Sequence, residues 1–437
     1  MDFTAWLERR SGQTEPVPGD KRDPEERDRA RVIHSSAFRR LQGKTQLLGI
    51  TEGDFHRTRL THTMEVAQIA RGIVLQFQDH PAAPLKKCMP STALIETISF
   101  CHDLGHPPFG HSGESALNYA MRDQGGFEGN GQSLRLITRL AKHTEPYGID
   151  PTRRVVLGVL KYPAPYSKVC KQPNQSPVPY ETLPSQQDWK PPKCYLDTED
   201  EIVRWVLKPL DEDDRNRFQS LSKSSTPEAH GKTAFKSLDT SIMDLADNIA
   251  YATHDLEDGI SLKLITREHW TEVTKNLQWG WLQMVDSNKD KLADLLFDGG
   301  KRKLGVSRIV HGLILAIEFQ SDSSFKSELL TWNANLKDQA SAFVRAMTDL
   351  VSNRIINTQA VQTLEYRGRH IILRLFDAIM ADPLRLLGES FSQALQTKPQ
   401  ELHRVVCDYI SGMTDSYASR LYERFYVPRQ GSVFEKL

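Results

Sequence analysis

The sequence predicts an all-α protein. Apolar residues recur at steps of three and four along most of the chain, alternating strand-like patterns are nearly absent, and glycine, proline and small polar residues punctuate the periodic runs. Val32, Ile33, Ala37, Phe38 and Leu41 form the stripe of one amphipathic helix over 28–41. Leu60, Met64, Ala67, Val74 and Phe77 mark a second, starting near Arg57. Ala93, Leu94, Ile98 and Cys101 mark a third, stopped by Gly105 and Pro107-Pro108. Ile242, Leu245, Ala246, Ile249, Thr253 and Leu256 give another, with Gly259 as its terminator. Further helical runs fall near 201–207, 305–320, 340–356, 368–380 and 400–426. One stretch departs from the pattern. Eight prolines lie between Pro163 and Pro192 with no apolar period, so 163–195 reads as an irregular excursion.

The chain's 437 residues allow up to about three domains and a large core. We divide it into an N-terminal arm over 1–27, read as mobile, a core over 28–270 and a helical region over 271–437 packed on the core. The 56 basic and 56 acidic side chains cancel, which is not the footprint of a dedicated nucleic-acid binder. No run approaches the ~20 apolar residues of a membrane span, and the charged N-terminus has no signal-peptide core. Five scattered cysteines without a C-x-x-C motif read as reduced thiols in a cytoplasmic protein.

Eight of the fourteen histidines lie between His34 and His143. The densest stretch runs from Cys101 to Glu114 and holds His102, Asp103, His106, His111 and Glu114. Adjacent His and Asp side chains point about 100° apart on a regular helix. They converge on one ion only at a helix end, which Gly105 and Pro107 supply. A lone His-Asp pair is otherwise a surface pair or an N-cap. His62, among apolar helix positions, would by itself read as a core histidine. Asp247 also sits among apolar neighbours, where a carboxylate is costly to bury unless paired or metal-bound. Asp247, Tyr251, Asp255 and Asp258 form one polar stripe; a solvated face accounts for Asp255 and Asp258 better than for the other two. His62, His102, Asp103 and Asp247 together offer two imidazoles and two carboxylates. That donor set suits a catalytic divalent ion such as Mn²⁺, Mg²⁺, Co²⁺, Ni²⁺ or Fe²⁺, with two octahedral positions open for water and substrate.

The order His62, His102-Asp103, Asp247 resembles the HD superfamily of metal-dependent phosphohydrolases. Four longer words, Phe38 to Gln46, Arg57 to His62, His102 to Glu114, and Asp247 to Tyr251 with Asp255 to Asp258, are similar to bacterial deoxyguanosine triphosphate triphosphohydrolases, as is Cys407 to Asp415. The resemblance runs from about residue 28 to 425. It implies an HD-domain helical fold with a helical C-terminal extension, and hydrolysis of a deoxynucleoside triphosphate, preferably dGTP, at the α-phosphorus to deoxynucleoside and tripolyphosphate. It further implies one divalent ion per subunit held by His62, His102, Asp103 and Asp247 and a catalytic pair His111–Glu114; His106 reads as a second proton carrier or phosphate donor, or equally as a structural residue. Substrate contacts carried over are Gln46, Arg59, Tyr251 with Asp255, and Lys161 in the word Leu-Lys-Tyr-Pro. Arg39, Arg40 and Lys44 read equally as solvated helix-face charges, and Glu365, Arg367 and Arg369 as interhelical ion pairs. The expected partners are dGTP or another dNTP, further copies of the chain (a homo-oligomer such as a hexamer) and single-stranded DNA as a modulator, with no membrane. Two other readings remain: an HD phosphohydrolase or phosphodiesterase acting on another nucleotide, and a nucleotide- or single-stranded-DNA-binding regulatory protein.

Overall fold

The computed structural model describes residues 3–13, 18–46, 57–171, 186–285, 288–397 and 399–428. Its principal helices are α1 (Pro24–His34), α2 (Arg59–Phe77), α3 (Thr92–Cys101), α4 (Gly110–Ala120), α5 (Leu238–Ala250), α6 (Asp338–Val351), α7 (Gln359–Ala381), α8 (Leu402–Ser411) and α9 (Asp415–Tyr426). Two small antiparallel hairpins accompany them: β1 (Leu221–Lys223) with β2 (Lys232–Thr233), and β3 (Ile317–Ser321) with β4 (Trp332–Leu336). The all-α reading holds.

Caps fix the helices that carry the site. Thr58 and Thr61 form a reciprocal capping box at the start of α2: the Thr58 N–H donates to Thr61 Oγ1 at 3.0 Å, and the Thr61 N–H donates to Thr58 Oγ1. Ser91 accepts from the Leu94 N–H at the start of α3, and Ser237 from the Thr240 N–H at the start of α5. The 28–41 stripe is two helices rather than one. Ser35 takes an extended conformation, ends α1, and its hydroxyl caps Ser36–Arg40 through the Phe38 N–H.

α2 lies against both α3 and α5, and α1 packs on α3. One apolar cluster runs from Trp6 to Ile355 and therefore crosses position 270. A second joins α4 to α7, α8 and α9. At ~25 cal/mol per Å² of apolar surface, such burial is the main force holding α2, α3 and α5 around the site.

The structure differs from the sequence reading at several places. The arm is docked over residues 3–13: Trp6 is buried, and Arg9 pairs with the buried Asp28 at 2.6 Å and donates to the Asp150 carbonyl. The 305–320 run is a helix over Arg302–Leu315 followed by β3, and 340–356 is α6 closed by a π-helical turn at Ser352–Ile356. The 400–426 run is α8 and α9, separated at Gly412–Thr414. Of the proline-rich excursion, 172–185 lie outside the described residues; its ends are stitched together by Tyr166 N–H to Tyr195 O at 2.9 Å and Tyr195 N–H to Ala164 O at 3.0 Å.

Candidate active site

Three elements bring the predicted metal donors to one place. α2 supplies His62 from its first turns, the end of α3 supplies His102 and Asp103, and α5 supplies Asp247. His62, His102 and Asp103 each offer a donor atom within 4.8 Å of the others. Asp247 Oδ1 stands 3.2 Å from His62 Nε2 and 3.8 Å from His102 Nε2, and Asp103 Oδ1 is 3.5 Å from His102 Nε2. Donors at ~2.1 Å from an octahedral ion lie about 3 Å apart at adjacent corners, so these spacings suit one cation. The His102 tautomer agrees. Its Nδ1 is 2.7 Å from the Ser99 carbonyl and must donate there, which leaves a lone pair on Nε2, a buried atom with no hydrogen-bond partner.

Neighbouring cations and imidazoles hold the carboxylates ionised. Burial alone would raise Asp247, but the His62 hydrogen bond, Lys161 and His102 outweigh it and keep the group well below the usual range. Burial likewise opposes ionisation of Asp103, and His102, His106 and Arg59 prevail. Arg59 donates to Asp103 Oδ2 at 2.6 Å, while Lys161 contacts Asp244 at 2.6 Å and Asp247 Oδ2 at 3.5 Å. Both predicted phosphate-side cations therefore stand beside metal-donor carboxylates.

The turn after Asp103 leads to the second predicted group. Gly105 lets it press on 129–133, since a Cβ there would lie 2.2 Å from the Ser133 nitrogen. His106 is buried with Nδ1 3.1 Å from Asp103 Oδ1, and burial pushes its imidazolium down to about 4 against the pull of Asp103. Its ring centroid is 5.8 Å from that of His111. His111 has a side chain 68% exposed and sets Nδ1 3.1 Å from Glu114 Oε2. Glu114 is buried, its Oε1 accepting the Gly129 N–H at 2.9 Å. Burial would raise its carboxyl, yet Lys193 and His111 hold it well below the usual range.

The sequence reading missed Lys193, which lies 3.9 Å from Glu114 and 3.0 Å from Glu128. It follows the last prolines of the excursion, where no periodicity marks a residue. Tyr251 is half-buried at the start of a π-helical turn, Tyr251–Asp255, one turn beyond Asp247. Asp255 is buried with both oxygens unpartnered, and burial pushes its carboxyl up to about 7. Asp258 bonds Arg57 at 2.5 Å, and Arg57 also holds Glu65 at 2.8 Å. The solvated-face account of Asp255 and Asp258 is therefore corrected: one is sequestered and the other belongs to an ion-pair network. Gln46 is half-buried, with its side-chain oxygen buried and free of hydrogen bonds. Lys44 is buried rather than solvated. Glu365 is half-buried and accepts from Gln362 at 3.0 Å, and the nearby His111 acts on its carboxyl electrostatically.

Two imidazoles and two carboxylates, gathered by the ends of packed helices beside a His–Glu pair, define the class: an HD-domain phosphohydrolase. Residues 59–159 match the HD domain and 334–424 the phosphohydrolase-associated domain. Over its full length the chain is similar to proteins named deoxyguanosinetriphosphate triphosphohydrolase-like protein. Those of Shewanella baltica (strain OS185) and Shewanella halifaxensis (strain HAW-EB4) are each 42% identical, covering 100% of this chain and 99% of the relative. The chain belongs to the HD-superfamily deoxyguanosine triphosphate triphosphohydrolase family. Among the described residues no helix is long and apolar enough to cross a membrane.

Proposed function

We propose that the protein hydrolyses deoxynucleoside triphosphates, dGTP in preference, at the α-phosphorus, releasing the deoxynucleoside and tripolyphosphate. The observation that carries this reading is the placement of His111–Glu114 next to the His62, His102, Asp103, Asp247 cluster, bridged by His106. His62, His102, Asp103 and Asp247 would hold one divalent ion, Mn²⁺ or Mg²⁺ by donor type, which supplies electrostatic stabilisation of charge on the phosphate oxygens. In the reaction a water oxygen bonds to the α-phosphorus and the bond to the 5′-oxygen breaks. One proton leaves the water and one arrives at the 5′-oxygen. His111 serves this transfer through Nε2, because Glu114 occupies Nδ1 and fixes the tautomer. Arg59, Lys161 and Lys193 supply positive charge for the triphosphate. Tyr251 packs against the sugar where a 2′-hydroxyl would stand, whereas Asp255, expected as a substrate contact, is sealed from the site with both oxygens buried.

The test is incubation of the Mn²⁺-loaded protein with each dNTP in turn, resolving products by anion-exchange chromatography. Equimolar deoxyguanosine and tripolyphosphate, formed fastest from dGTP, support the reading; orthophosphate or a dinucleotide as product contradicts it. The same family likeness leads us to expect a homo-oligomer and a response to single-stranded DNA, measured by light scattering and by salt-dependent binding. The five cysteines are free thiols, which suits a reducing cytoplasm.

A further inference from the structure

Lys44 has no part in the chemistry above, yet only 2% of it is exposed. Its ammonium donates to two main-chain carbonyls, His106 O at 2.5 Å and Ser411 O at 2.9 Å. The first belongs to the turn between the metal donors and α4. The second closes α8, some 370 residues further along the chain. The next residue, Thr45, gives both its N–H, at 3.1 Å, and its hydroxyl to Asp415 Oδ2. The other oxygen of Asp415 accepts the Phe109 N–H at 3.0 Å.

The backbone at this junction is held against its own preference. Phe109 has φ 62°, in the left-handed region that a bulky side chain disfavours. Close contacts lock the junction. A Cβ on Gly368 of α7 would lie 2.6 Å from Phe109 Cβ, and one on Gly43 would lie 2.8 Å from Thr414 Cγ2. Residues 43–46, the turn 106–109 and residues 411–415 therefore converge, with one ammonium and one carboxylate bonded to all three.

Two of the three segments lead directly into the site. Thr45 precedes Gln46, whose oxygen is buried and unpartnered. Phe109 precedes His111 by two residues, and the His106 carbonyl belongs to the residue beside Asp103. Burial pushes the Lys44 ammonium down to about 7, a cost that an apolar side chain of the same size would not carry, so the amine serves geometry better than it serves stability. We propose that Lys44 and Asp415 are positioning residues for the hydrolytic reaction. They set the turn that carries His106 and leads into His111 at the start of α4, and register it against the segment that carries Gln46. This makes the C-terminal helices α8 and α9 part of the active-site framework. The proposal rests on the hydrolase reading for its kinetic consequence and on the geometry alone for its structural one.

The test compares Lys44→Met and Asp415→Asn with the wild-type full-length chain in three measurements: steady-state hydrolysis of dGTP, calorimetric Mn²⁺ affinity, and amide hydrogen exchange. Displacing reacting groups by about 1 Å costs up to ~10²-fold. Lys44→Met should therefore lower kcat ~10- to 100-fold, with KM changed less. Asp415→Asn, which keeps one acceptor oxygen, should lose less. Mn²⁺ affinity should stay within about threefold, because neither residue bonds a metal donor. Exchange over 104–110 should rise at least about tenfold while that of α2 is unchanged. If Lys44→Met does not fold, Asp415→Asn decides on the same criteria. Exchange over 104–110 and kcat both within about twofold of wild type would overturn the proposal, as would exchange rising equally in α2 and α5, the mark of a merely structural role. A wild type that hydrolyses no dNTP overturns the hydrolase reading alone, and the exchange pattern still decides the geometric claim.

Discussion

Replacing Glu114 by Gln tests the proton-transfer pair more sharply than deleting it. Glu114 Oε1 accepts the Gly129 N–H at 2.9 Å and Oε2 faces His111 Nδ1 at 3.1 Å. A glutamine in the same pose must keep its oxygen toward Gly129, since two facing donors would leave a buried N–H unsatisfied at ~1–3 kcal/mol. Its amide NH₂ then points at His111 and donates to Nδ1. The imidazole is forced to carry its proton on Nε2, the nitrogen that must be free to accept one. In a Ser-His-Asp triad, where the Asp is buried behind the His, the analogous swap costs ~10⁴ in kcat. His111 is largely exposed, so its ring can turn to water, and we expect a smaller loss of ~10²–10³. His111→Ala should fall by a similar or greater factor, and Glu114→Gln/His111→Ala should match His111→Ala alone, because the two act as one unit. The assay is tripolyphosphate release from dGTP at saturating Mn²⁺, with Mn²⁺ affinity as control. A Glu114→Gln rate within about threefold of wild type, or a double variant a further tenfold slower than His111→Ala, would refute the reasoning.

Three other outcomes follow from the same structure. Tyr251→Ala should narrow the preference for dGTP over GTP at least about tenfold in kcat/KM; unchanged discrimination removes Tyr251 as the sugar gate. Arg135→Met should destabilise the fold by ~3–5 kcal/mol in urea unfolding, because it strips the buried Asp408 and Glu199 carboxylates of the guanidinium held at 2.8 and 2.7 Å. A loss under 1 kcal/mol would show those charges find other partners. Asp255 gives a pH signature in the metal-free protein. Its folded pKa near 7 lies above the unfolded ~3.9, so the folded state keeps the proton and the cost of burying the carboxylate is absent below pH ~4. That cost grows as pH rises from 4 to 7 and then levels off. Asp255→Asn should therefore gain stability relative to wild type between pH 4 and 8, by about 4 kcal/mol at most, and a pH-independent difference would count against the sequestered carboxyl.

Local chemistry was legible in the sequence where one segment determines it. The stripe from Ile242 to Leu256 gave α5 and its extension, although a π-helical turn interrupts it at Tyr251–Asp255 and the helix runs past Gly259 to Ser261. The glycines and prolines after Cys101 gave the turn that lets His102 and Asp103 converge. The word shared with the family pairs His111 with Glu114, and the structure sets His111 Nδ1 3.1 Å from Glu114 Oε2. Where neighbours in space decide, the reading failed. Ser35 is an ordinary helix residue until its hydroxyl caps the next turn, so one helix was read where two stand. Lys44 and Asp255 are polar residues in polar surroundings along the chain, and their burial comes from α8, α9 and the packing around α5. Lys193 gains meaning only from Glu114 and Glu128, far from it in sequence. β3 and β4 are short, and Ile317–Ser321 directly follows a helix whose period masks its start.

A Mn²⁺ anomalous-difference map bears most directly on the central claim that four side chains from three helices share one cation. The account predicts a single strong peak per chain, about 2.0–2.3 Å from His62 Nε2, His102 Nε2 and one oxygen each of Asp103 and Asp247. A peak seated instead among His106, His111 and Glu114, or no peak at saturating Mn²⁺, would contradict it.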